Sequence, residues 1–121
     1  MNYQIGNYIS TEYGELPIKH VVFDSYQVTV KDGRTLWANK VEPIKLTEEL
    51  LINSNMIQDN YRAFYLGIIF IKKCEIDGKT KFDIHIGEHF GETKHFIYIY
   101  YLHELQNIIS LTGEKLTLTN V

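Results

Sequence analysis

The chain has 121 residues, 45% hydrophobic and 22% charged, with a net charge of −3; this is ordinary globular usage and excludes a disordered chain. Lys and Arg number 12 against 15 acids, so the basic excess on which general nucleic-acid coating depends is absent. A single cysteine, Cys74, rules out an intrachain disulfide, and the longest apolar run, Ala63 to Ile71, is far shorter than the roughly twenty residues of a membrane helix. Met1 to Gln4 lacks the basic and apolar regions of a signal peptide, so a cytoplasmic protein is expected.

Tyr3, Ile5, Tyr8 and Ile9 suggest a short opening strand around Gly6, and Ile18 to Phe23 reads as a strand from its β-branched and aromatic content. Tyr26 to Val30 alternates apolar and polar, the mark of a half-buried strand. Asp32-Gly33 is a tight-turn signal, because Gly tolerates positive φ, and Thr35 to Ala38 returns as the partner strand. Pro43 interrupts, and the period changes. Thr47 is placed to cap a short helix near 47–53, with Glu48 and Glu49 at the positive end of its dipole and Leu46 and Leu51 at the staple positions.

Arg62 to Lys73 reads as one strand buried on both faces, a buried helix being the alternative. Asp77-Gly78 is a second hairpin signal, followed by the alternating Lys81 to Ile86, a glycine-containing loop from Gly87 to Thr93, and a strand from His95 to Tyr100. A helix near 100–112 is the clearest element. Tyr101, Leu102, Leu105, Ile108, Ile109 and Thr112 form its apolar stripe, His103, Glu104, Gln106, Asn107 and Ser110 lie opposite, and Gly113 follows as the cap. Lys115 to Thr119 is a candidate closing edge strand. The expectation is one α+β domain spanning residues 1–121, a mainly antiparallel sheet of about six or seven strands with two helices.

No motif for nucleophilic catalysis, phosphate cradling or dinucleotide binding is present, so no catalytic residue and no cofactor is assigned, and Cys74 has no motif around it. His85, His89 and His95, with Glu88 and Glu92, form the densest group of potential ligands. Their order is not that of zinc proteases and Gly87 argues against a helix, so no metal is assigned. A metal-dependent enzyme using His85, His89 and His95 is kept as an alternative. Nine tyrosines and the Lys72 to Lys81 hairpin keep a nucleic-acid- or nucleotide-binding module as another. For partner recognition the candidates are His103, Glu104, Gln106 and Asn107 on the last helix and Glu88 and Glu92 in the glycine loop.

Glu42 to Leu51 (Glu-Pro-Ile-Lys-Leu-Thr-Glu-Glu-Leu-Leu), Tyr101 to Asn107, Leu111 to Leu116 (Leu-Thr-Gly-Glu-Lys-Leu) and Ile5-Gly6-Asn7-Tyr8 resemble segments of a group of small phage and prophage proteins of Bacteroidota. Glu104 and the stretch Asn53 to Met56 depart from that group's pattern. The resemblance implies a small accessory protein acting in the host cytoplasm. Such proteins often inhibit host defence systems, so the implied function is a non-catalytic inhibitor of a host protein, with a CRISPR effector nuclease or its guide-RNA complex as the candidate partner. An acidic inhibitor suits a basic nucleic-acid channel, where charge complementarity speeds and orients binding.

Overall fold

A computed structural model describes residues 3–59, 63–87 and 93–119. The elements are β1 (Tyr8–Thr11), β2 (Gly14–Val22), β3 (Ser25–Thr29), β4 (Thr35–Ala38), β5 (Val41–Pro43), α1 (Glu48–Ile52), β6 (Ile57–Gln58), β7 (Phe64–Leu66), β8 (Ile69–Ile76), β9 (Lys79–Ile86), β10 (Lys94–Ile99) and α2 (Leu102–Leu111). The class is α+β. The strands form two five-stranded sheets, ordered β4-β3-β2-β1-β5 and β10-β9-β8-β7-β6, with antiparallel pairing throughout. Contacts group the chain into two compact units, one centred on Met1–Lys45 and one on Leu46–Tyr100. Tyr101–His103 group with the first unit, and the described residues from Glu104 onward with the second.

In the first unit, Ile9, Leu16, Ile18 and Val28 are buried together, with Tyr3, Tyr26, Val30 and Val41 packed against them. The opening strand begins later than the apolar pattern suggests. Gly6 takes φ +93 in a turn, and the Gln4 N–H donates to Asn7 Oδ1 (2.8 Å), so pairing starts at Tyr8. The Asp32-Gly33 turn forms as expected: the Val30 N–H donates to Arg34 O (2.8 Å), and Gly33 has φ +91. Pro43 does not interrupt the sheet. It lies in β5 at the sheet's edge, opposite Ile9, where a missing N–H removes no ladder bond on the open side.

In the second unit, the run expected as one strand from Arg62 to Lys73 is corrected to a hairpin over its described part, Arg62 lying outside the described residues. Leu66 pairs with Ile69 across a two-residue turn, Gly67-Ile68, with Gly67 at φ +58. An apolar residue inside the turn hid it, since Ile68 kept the run unbroken while standing exposed. This split, together with the short β5 and β6, raises the strand number above the six or seven expected. Asp77 and Gly78 take φ +53 and +75, the two positive values of a mirror-image hairpin turn. That turn sets Ile76 opposite Lys79 and carries the register down to Ile69 opposite Ile86.

Both helices lie where the pattern puts them. The Thr47 hydroxyl accepts from the Leu50 N–H (3.2 Å), and the staple residues Leu46 and Leu51 are buried. In α2, Leu102, Leu105 and Ile109 are buried, and Gly113 follows at φ +84. The tail from Lys115 to Thr119 is not an edge strand. It is held by one bridge, Ser54 to Leu118, and by Asn55, whose side chain donates to Lys115 O (2.9 Å) and accepts from the Thr117 N–H (2.8 Å). These side-chain bonds add to two backbone bonds between the same segments, Asn55 N–H to Thr117 O (3.1 Å) and Thr119 N–H to Asn53 O (3.0 Å).

Ile84 is fully buried on β9 with Ile71 opposite. Ile84→Ala is expected to lower the unfolding free energy by about 2–5 kcal/mol, and Thr47→Ala by about 1 kcal/mol, in denaturant titrations followed by circular dichroism.

Candidate functional site

Alternation along β9 sends Phe82 and Ile84 into the core and Lys81, Asp83 and His85 to the other face of the second sheet. Directly paired residues share a face, so Phe70, Lys72 and Cys74 of β8 lie beside His85, Asp83 and Lys81. On β10, His95 sits opposite His85. An irregularity then shifts the register, so that Ile97 pairs with Ile84 and Tyr98 with Asp83. The extra residue changes the parity of the strand and puts both His95 and Tyr98 on the polar face, their rings 4.6 Å apart.

Three of these side chains converge. His85 Nε2 lies 2.9 Å from Asp83 Oδ2, and His95 Nδ1 lies 2.5 Å from Asp83 Oδ1. The far nitrogen of His85, Nδ1, is 3.2 Å from the Thr93 hydroxyl. The two imidazoles stand edge to face, with centroids 5.6 Å apart. A cavity of about 190 Å³ reaches Asp83, His85 and Thr93 and is walled by Ala63, Phe70, Ile71 and Lys72. A larger cleft in the first unit, about 510 Å³, is lined by Glu15, Lys31, Asp32 and Arg34 among others and carries no histidine or cysteine. There the Arg34 backbone N–H, followed by its guanidinium, holds Asp32 below the usual carboxylate range. The volume and the convergent chemistry therefore sit in different places, and the smaller cavity is the better candidate site.

Of the three histidines singled out in the sequence, His85 and His95 meet, while His89 lies outside the described residues, as do Glu88 and Glu92. Asp83 was the residue missed. The signal for it was present, since Asp83 and His85 are two apart in an alternating strand and must share a face.

The polar arc expected on α2 is corrected at His103. This residue is 4% exposed, with its ring against Tyr3 (centroids 4.8 Å) and stacked on Tyr101 (5.9 Å, 17° between planes). It adjoins Leu102 on the helix and belongs to the buried side rather than the solvent arc. Glu104 turns back to accept the Tyr100 N–H (3.2 Å), an N-terminal capping contact, while Gln106 and Asn107 are half-buried.

Burial pushes the Cys74 thiol up, the Asp83 carboxylate adds to the rise, and Lys81 opposes it. Less thiolate is then present at neutral pH. Cys74 is expected to alkylate with iodoacetamide more slowly than an unperturbed thiol at pH 7, with a pH–rate midpoint displaced upward and moved back down by Asp83→Asn. No helix among the described residues is long and apolar enough to cross a membrane. Compared with known proteins, the chain matches no family model, no curated protein and no solved structure, so the site is read from its own geometry.

Proposed function

We propose that this chain is a non-catalytic, phage-type accessory protein that binds and inhibits a host defence protein, with an RNA-guided CRISPR nuclease as the candidate target. The observation that carries the reading is Phe23. It sits at the tip of the β2–β3 hairpin with φ +54 and is 95% exposed. A left-handed conformation costs a bulky residue about 1–2 kcal/mol, and leaving the ring in water forgoes roughly 1.5–3 kcal/mol of burial. A partner that covers the tip recovers the burial, while the backbone cost is the price of presenting the ring there. Val21 and Val22 beside it are exposed as well. Trp37, in register with Gln27 and exposed, adds a second aromatic on the face opposite Val28. Exposed aromatics of this kind are the anchors on which protein interfaces depend. The net charge of −3 favours a basic channel on the target.

A second reading, nucleic-acid binding, is favoured by one specific observation. The Lys81 ammonium lies 5.7 Å from the Tyr98 ring centroid and 5.8 Å from that of Tyr100, on the face that also carries Lys72. Aromatics and cations on one sheet face are the elements of base stacking.

Co-purification with candidate nucleases followed by a cleavage assay tests the inhibitor reading. Phe23→Asp is expected to weaken the complex by at least about tenfold, or ~1.4 kcal/mol. Phe23→Gly should also lose binding yet keep its stability within about 1 kcal/mol, because relief of strain offsets the greater backbone entropy of Gly. Failure to associate with any host protein would count against the reading. Fluorescence anisotropy with labelled RNA and DNA separates the second: a salt-dependent rise supports it, and a flat baseline removes it.

A further inference from the structure

We propose that Asp83, His85 and His95 form a binding site for a divalent transition-metal ion of the zinc class. One ligand atom from each residue lies within 4.8 Å of the other two. Ligands about 2.0–2.1 Å from a tetrahedral ion stand roughly 3.3–3.4 Å from one another, so the three groups need only small side-chain rotations to close on a cation. Two imidazole nitrogens and one carboxylate oxygen are the donors that zinc and its neighbours in the first transition row prefer, whereas calcium and magnesium call for oxygen-only sets.

Three further features point the same way. Asp83 and His85 stand on β9 within its eight-residue ladder to β8, so two of the three ligands are carried on a braced strand. The register shift on β10 is what puts His95 on this face together with Tyr98. The Thr93 hydroxyl at His85 Nδ1 supplies the outer contact that a ligating histidine needs. When His85 Nε2 and His95 Nδ1 donate their lone pairs to the ion, the proton of His85 moves to Nδ1 and is accepted by Thr93 Oγ1. The proton of His95 moves to its Nε2. No proton need leave the protein if both rings start neutral. Among the described residues the cluster supplies three ligands of a tetrahedral ion's four, and a cavity of about 190 Å³ borders Asp83 and His85. The proposal is independent of the inhibitor reading: it concerns the second sheet and requires no partner.

Untagged full-length protein, stripped with a chelator and dialysed, is titrated with zinc chloride by calorimetry and with cobalt chloride by visible absorption. Saturable uptake of one ion per chain, with cobalt d–d bands reporting nitrogen and oxygen ligands, is expected. His95→Ala and His85→Ala should each weaken zinc binding, and their combination should abolish it. Thr93→Val should weaken zinc binding by about 10- to 100-fold, the scale of a lost outer-shell contact. Circular dichroism of the metal-free variants checks that they fold. If the histidine variants unfold, Asp83→Asn takes their place in the titration. Absence of saturable binding of either ion by the wild-type chain would overturn the proposal and leave a hydrogen-bonded His–Asp–His group only. So would undiminished affinity in a folded ligand variant.

Discussion

The register of the β8–β9 ladder is the constraint on which the second unit depends. The Asp77-Gly78 turn sets it, with both residues at positive φ, and eight residue pairs follow from it. Side chains alternate with a period of two, so a slip of one residue would carry Phe82 and Ile84 out of the core and drive Asp83 and His85 into it. Burying two apolar side chains is worth several kcal/mol, and burying an uncompensated carboxylate costs more. The same term that holds the core therefore holds Asp83 and His85 on the open face. The polar cluster is a consequence of the hydrophobic pattern, completed by the register shift that brings in His95.

Turn chemistry divides the hairpins into two kinds. Asp32-Gly33, Asp77-Gly78 and Gly67-Ile68 place glycine at a positive φ and carry little strain. Phe23 does the same work without that freedom, at the most exposed aromatic position described. Exposed apolar groups gather at this hairpin of the first sheet, while the polar face of the second carries Asp83, His85 and His95 with Tyr98 beside them.

The residues after α1 fasten the tail through backbone and side-chain bonds together, the Asn55 N–H donating to Thr117 O (3.1 Å). Asn55 bonds both a carbonyl and an N–H of the tail, and the Asn53 carbonyl accepts from the Thr119 N–H and also from its hydroxyl. A stretch that ends the helix by its composition also fastens residues some sixty positions later in the chain.

By itself the sequence determined the elements whose signals are local: the Thr47 cap, the stripe of α2 with Gly113 after it, both Asp-Gly turns, the alternation of β9 and the α+β class. Each depends on residues within one or two turns or a few strand positions of one another, so periodicity and turn chemistry suffice. Only the tertiary structure decided that Pro43 lies on an edge, that Ile68 turns rather than continues, that His103 is buried, and that His95 stands beside Asp83. The strand outcomes depend on which strand becomes the neighbour and on a one-residue shift in its pairing, and the burial of His103 on its packing against Tyr3. Pairing energy arises between segments distant in the chain, and no local pattern records it.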